Sequence, residues 1–186
     1  MPNNYYSKLK ESKIKSKKLY RGAVGFNVDT VRLPNGKKSV RAYIVHPGAS
    51  AILPIIADSV VMVEQYRYPV KDVLLEIPAG KIKSGQTPLA CAKAELREET
   101  GYKARKFQKL ISFNPTCAFA DEILHIYLAE KLSPGKTNLD EDEFVNTKII
   151  PLKKAYEMIE SGKIKDSKTI IALLYYRTFL NYPIGK

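Results

Sequence analysis

Short runs rich in Val, Ile and Tyr recur along the first half of the chain, each closed by residues that favour turns, and this pattern predicts a series of strands. Residues 24–32 and 39–45 form two such runs around LPNGKK, where the Asn35-Gly36 pair can supply the positive φ angles of a tight hairpin turn. Residues 51–56 and 60–65 read as two more strands separated by Asp58-Ser59, and 73–77 as a short strand ending at Pro78-Ala79-Gly80. A helix follows. Thr87 suits its N-cap and Pro88 its first turn, the helical run continues to Thr100, and Gly101 suits the left-handed residue past its end. Strands return at 107–113 and 123–128, and a Ser133-Pro134-Gly135 loop and the acidic cluster 140–143 precede a strand near 148–150. Two helices close the chain, over 151–161 and 166–180. This order of β and α elements predicts an α/β or α+β sandwich.

Composition narrows the class. A chain of 186 residues with 45% hydrophobic and 27% charged residues has ample material for a core and suggests one domain, or one with a modest N-terminal extension. No apolar run approaches the roughly 18 residues of a membrane span, and MPNNYYSKLK lacks the apolar stretch of a signal peptide. With two cysteines, Cys91 and Cys117, a disulfide framework is not expected, and a cytoplasmic location follows. The formal net charge of +12 favours anionic partners. Its densest stretch, KLKESKIKSKK at 8–18, reads as a solvated lysine-rich flank; no aromatic–arginine interleaving supports nucleic acid as a partner.

The chemistry concentrates in AELREETGY, residues 94–102, where Glu95, Glu98 and Glu99 stand at i, i+3 and i+4. On a helix these positions fall within about 100° of one another, so three negative charges share a flank. Glu98 and Glu99 also sit near the C-terminal end, the unfavourable end of the helix dipole for an anion. Two readings stay open on the residues alone. Either a divalent cation with oxygen ligands compensates the charge, or the flank is an exposed acidic stripe paired with Lys93 and Arg97.

Taken from Gly80, the register of Glu95, Leu96, Glu98, Glu99, Gly101 and Tyr102 resembles the signature of the Nudix hydrolases. The segments HPGASAILP (46–54), VEQYRYP (63–69), LLEIPAGKI (74–82), FADEILHIYLA (119–129), DEDEF (140–144) and GKIKDSKTIIALLYY (162–176) are similar to the ADP-ribose pyrophosphatase branch of that family. The resemblance runs over about residues 22–177. It implies an α/β/α sandwich with a mixed central sheet, preceded by an N-terminal antiparallel sheet. Residues 1–50 would then hold the basic segment and strands that pair two protomers into a homodimer, and 51–186 the catalytic domain. The implied activity is hydrolysis of the pyrophosphate of ADP-ribose or a related nucleoside diphosphate sugar, with Mg²⁺ or Mn²⁺ and without membrane or nucleic-acid partners.

The resemblance also implies roles. The Ala79 carbonyl, Glu95 and Glu99 match metal-binding positions, with Glu98 as an added or alternate ligand with a catalytic part. Glu141 and Glu143 fall where this branch carries loop glutamates; Glu141 is assigned as the base and Glu143 to the metals. Arg67 and Glu76 match substrate-holding positions.

Three departures stand out. Ala94 replaces the arginine of the signature, Gln86 replaces its early acid, and the downstream proline is Pro115 where the branch aligns it with Cys117. Loss of one cation together with one anion leaves the local charge unchanged, so Gln86 and Ala94 read as a compensated pair. His46 and His125 lie in strand-like stretches without ligand spacing and read as structural. A catalytically weakened domain that binds such nucleotides as a sensor is the alternative, and RNA end-processing is the reading with least support.

Overall fold

A computed structural model of the chain describes residues 8–139, 141 and 143–180. The first seven residues of the N-terminal segment, with Asp140 and Asp142 of the acidic cluster, lie outside the described residues. The chain divides into two compact units. One holds the residues up to Pro47 together with Thr116–Glu122, and the other Gly48–Pro115 with the residues from Ile123 onward.

In the first unit, β1 (Ser12–Arg21), β2 (Gly25–Arg32) and β3 (Lys38–Val45) form an antiparallel sheet in that order. The lysine-rich stretch expected to be a solvated flank is therefore largely strand, with all ten residues of β1 exposed. Neither face of β1 is buried, so the apolar alternation that marks a half-buried strand is missing, and the lysines that hid it are residues commonly used to guard sheet edges. The β2–β3 turn also differs from expectation. The Gly36 N–H donates to the Leu33 carbonyl at 2.9 Å and only Gly36, at φ 83°, takes a positive φ. Pro34 sits second in that four-residue turn, where its fixed φ suits a type I turn with a glycine after it, not the two-residue hairpin that Asn35-Gly36 suggested. The segment 116–122 joins β3 through Ile44 N–H to the Phe119 carbonyl (2.8 Å) and His46 N–H to the Asp121 carboxylate (2.7 Å).

The second unit is built on a seven-stranded mixed sheet. Its path is β10 (Val145–Pro151), β5 (Ser59–Arg67), β4 (Ala49–Ile56), β9 (Leu124–Ser133) and β8 (Lys103–Phe113), with β6 (Asp72–Glu76) on β5 and β7 (Ala79–Lys81) on β4. The β4–β9 pair is parallel and the rest are antiparallel. Seven of the eight residues of β4 are buried, which explains why all but Ser50 are apolar: both its faces are covered. Ile52 packs with Ala92 and Leu96 of helix α1 (Pro88–Thr100), whereas Ala51 and Leu53 pack with residues of α2 (Leu152–Glu160) and α3 (Ser167–Phe179). Alternate residues thus meet helices on opposite faces, giving the expected three-layer α/β/α arrangement.

Helix α1 has the ends its sequence foretold. Thr87 Oγ1 accepts from Ala90 N–H at 3.2 Å, and Gly101 at φ 74° donates its N–H to the Arg97 carbonyl. The loop after β9 docks on this C-terminal end. Asn138 N–H donates to the Glu98 carbonyl at 3.0 Å, Thr147 of β10 donates to the Glu99 carbonyl at 3.3 Å, and Gly135 lies against Gly101. These donors cap carbonyls that α1 leaves unpaired. A Cβ on Gly135 would stand 2.6 Å from the Gly101 carbonyl oxygen, so the contact is backbone against backbone and cannot yield by a rotamer change. Gly135→Ala is expected to lower the unfolding free energy by about 1–3 kcal/mol in urea titrations; an unchanged midpoint would show that the two backbones are not held together.

Candidate active site

The centre of the site is the meeting of α1 with the turn between β6 and β7. Glu95 and Glu99, one helical turn apart, are buried at 9% and 3% exposure, while Glu98 between them is half-buried. The exposed acidic stripe is therefore excluded for Glu95 and Glu99. Gly80 makes room for Glu95: a Cβ there would fall on the Glu95 carboxylate, so any larger residue displaces that group. Ala79, next to it, directs its backbone N–H at the Glu99 carboxylate.

These groups form an electrostatically strained cluster. Burial, and then the negative charges of Glu95 and Glu143, push the Glu99 carboxyl up to about 8, against smaller opposing effects of the Ala79 N–H and Lys168. Glu99 Oε2 is buried and has no hydrogen-bond partner among the described residues. A buried anionic oxygen without a donor is costly, and hard oxygen donors gathered this way match the requirements of a divalent cation. Among the described residues, no three acidic, histidine or cysteine groups already stand close enough to hold an ion.

Beside the carboxylates lies a network of opposite character. Arg67, at the end of β5, grips Glu76 of β6 through Nε–Oε1 and Nη2–Oε2, both at 2.7 Å. Lys168, in the first turn of α3, donates to the same Oε2 and pairs with Asp166 at 3.1 Å. Asp166 caps α3, accepting from Thr169 N–H at 3.0 Å and from Thr169 Oγ1 at 2.5 Å. Thr169 Oγ1 in turn accepts the Ile77 N–H at 2.8 Å, which ties α3 to the strand end that leads to Ala79. Glu76 is only 1% exposed, whereas the Arg67 side chain is 38% exposed. Desolvation raises the Glu76 pKa, but Arg67 and Lys168 together outweigh it and hold the carboxylate below its usual range. The Arg67 guanidinium also feels the charge of Glu99, so the two groups of residues adjoin.

Most of the residues picked from sequence lie in one neighbourhood: the Ala79 N–H reaches Glu99, Glu95 and Glu143 act on Glu99 through their charge, and Arg67 pairs with Glu76. Glu141 is exposed on the loop. Glu76 is enclosed behind Arg67 and presents no open face. Sequence reasoning missed Lys168, Asp166 and Thr169; the only signal was their place in the GKIKDSKT stretch, because ordinary charged residues at a helix start look like capping. Gln86 accepts the Lys83 N–H at 3.0 Å and so closes the turn before α1. Cys91 Sγ–H points at the Gly80 carbonyl, 3.5 Å away, and burial followed by the Glu95 charge pushes its thiol up to about 11, the wrong direction for a nucleophile. His125 pairs with Ser112 at 2.7 Å and His46 lies near Glu122, neither within this site.

Known proteins are similar to this chain along most of its length. An ADP-ribose pyrophosphatase of Bacillus subtilis is 43% identical over 171 residues, covering 90% of this chain and 92% of that protein. A methanol dehydrogenase activator of Bacillus methanolicus is 45% identical with the same coverage. Among solved structures, one described as the crystal structure of ADP compounds hydrolase superposes with a TM-score of 0.82 over 92% of this chain and 95% of that one; at 22% identity it speaks for the fold alone. The NUDIX domain matches residues 45–173, a span that includes both the buried carboxylates of α1 and the Arg67–Glu76–Lys168 network. The chain belongs to the NUDIX domain family.

Proposed function

We propose that the protein is a metal-dependent Nudix pyrophosphohydrolase that cleaves the diphosphate of ADP-ribose or a related nucleoside diphosphate sugar into a nucleoside monophosphate and a sugar phosphate. The observation that carries this reading is the buried, unpartnered Oε2 of Glu99 among like charges. The 43% identity to an ADP-ribose pyrophosphatase over 90% of the chain supports the substrate class. Glu95, Glu99, Glu143 and the Ala79 carbonyl would hold the cations, with Glu98 as an alternate ligand. Bound there, Mg²⁺ or Mn²⁺ would neutralise phosphate charge and acidify a water. Glu141, exposed on its loop, would take the proton of the attacking water at its carboxylate. The exposed side of Arg67 would grip the anionic substrate, and Glu76 would act through Arg67, since its own oxygens are taken. For ADP-ribose the products are AMP and ribose 5-phosphate.

In the same reading the protein is a cytoplasmic homodimer. The exposed Ile14, Leu19, Tyr20, Phe26 and Val40 on the β1–β3 sheet support pairing through residues 1–50, with 51–186 as the catalytic part. Among the described residues no helix is long and apolar enough to cross a membrane. A second reading, a sensor that binds the nucleotide without turnover, draws on Ala94, which cannot form the bidentate pair an arginine would make with the helix carboxylates.

Incubation with Mg²⁺ or Mn²⁺ and ADP-ribose, GDP-mannose, NAD, diadenosine polyphosphates or capped RNA separates the readings. AMP release from ADP-ribose by the wild type, lost by at least about a hundredfold in Glu99→Gln, is expected. Tight binding without product would support the sensor. A pH dependence follows as well. The folded-state carboxyl of Glu99 lies above its unfolded value, so the folded protein binds the extra proton. Its contribution to stability is present below about pH 4.5 and is lost as the pH rises through about 8. Since a metal must displace that proton, melting curves with Mg²⁺ and with EDTA should diverge progressively from pH 6 to pH 8.5 or so. A constant gap would mean that Glu99 is not a ligand.

A further inference from the structure

The Asp166–Lys168–Thr169 turn has no part in the reaction proposed above, yet Lys168 reaches Glu76, the partner of Arg67. Lys168 is 13% exposed and contacts two carboxylates, Glu76 and Asp166. Arg67 already satisfies Glu76 with a planar, two-bond pair, so Lys168 is not needed to keep that carboxylate from being buried alone. What Lys168 does uniquely is to stand between the two acids. Asp166 acts electrostatically on the Arg67 guanidinium, as Glu76 does. A single cation facing two carboxylates can divide itself between them; a second cation shared by both removes the competition. With Arg67, Lys168, Glu76 and Asp166 all charged, the group is neutral.

We propose that Lys168 is a positioning residue for substrate binding, which neutralises Asp166 and so keeps the Arg67 guanidinium bidentate on Glu76 with its exposed side toward the diphosphate. The proposal rests on the reading that Arg67 grips the substrate. Lys168 itself does not touch the substrate; it sets the plane of the group that does. Because a bidentate pair fixes the orientation of a guanidinium as well as its distance, a shift of Arg67 toward Asp166 would turn its remaining donors away from the phosphate oxygens. The main consequence falls on binding, because the charge of Lys168 is only one of the smaller effects on Glu99.

Steady-state kinetics on ADP-ribose with Mg²⁺ tests this, using the full chain and checking each variant by thermal melting. Lys168→Met is expected to raise KM about tenfold and to change kcat by less than about twofold. Lys168→Gln, which retains hydrogen-bonding capacity without the charge, gives the same comparison should the methionine variant fail to fold. Adding Asp166→Asn to either variant removes the competing charge while keeping an N-cap side chain, and should return KM to within about threefold of the wild type. A purely structural lysine would lower the melting temperature of the single variants and leave their KM unmoved, which would overturn the proposal. So would a raised KM that Asp166→Asn does not recover. No turnover of ADP-ribose by the wild type would instead overturn the pyrophosphatase reading and this proposal with it, whereas wild-type turnover with an unmoved KM in the variants refutes the role of Lys168 alone.

Discussion

Everything in the site turns on one carboxylate that the fold buries without a full set of partners. Glu99 occupies the last turn of α1, where the helix dipole disfavours an anion, under a sheet that strips away water, and in reach of two more acids. A protein ordinarily neutralises such a group or pairs it. Here the single described donor is a backbone N–H from Ala79, and Oε2 is left over. Below about pH 8 a proton neutralises the group; above it the arrangement is costly unless a cation completes it.

The surrounding architecture works by placing backbone where side chains would not fit. Gly80 admits the Glu95 carboxylate, and the Gly101–Gly135 contact brings the loop that carries Glu141 and Glu143 onto the end of α1. On the other side, Thr169 holds the Ile77 peptide and Lys168 contacts Glu76, so α3 meets both the strand end and the carboxylate that Arg67 grips. Negative charge is concentrated on one wall and balanced charge on the next. A diphosphate with its cations requires both: oxygen ligands for the ions, and a fixed cationic donor for phosphate oxygens.

Much of this was legible in the chain because local signals and tertiary structure agree. Thr87, Pro88 and Gly101 bound α1 as their backbone preferences dictate, and the i, i+3, i+4 spacing of the acids put them on one flank. The strands of the central sheet were found wherever β-branched residues ran together. What escaped was of two kinds. The edge strand β1 buries nothing in this chain, so hydrophobic periodicity could not mark it, and β7 has only three residues, too few to show a period. Lys168, Asp166 and Thr169 matter because a distant strand end reaches them, a long-range pairing that no local pattern encodes. Pro34 redirected the hairpin turn for a simpler reason, since its own φ outweighed the preference of Asn35-Gly36.

The most direct test of the account is the position of a bound ion. Crystals grown with Mn²⁺ and a non-hydrolysable ADP-ribose analogue, measured at an anomalous wavelength, should show a peak within direct ligand distance of the carboxylates of Glu95 and Glu99 and of the Ala79 carbonyl oxygen. An analogue bound with no anomalous peak at those oxygens, or with Glu99 still held only by the Ala79 N–H, would contradict it.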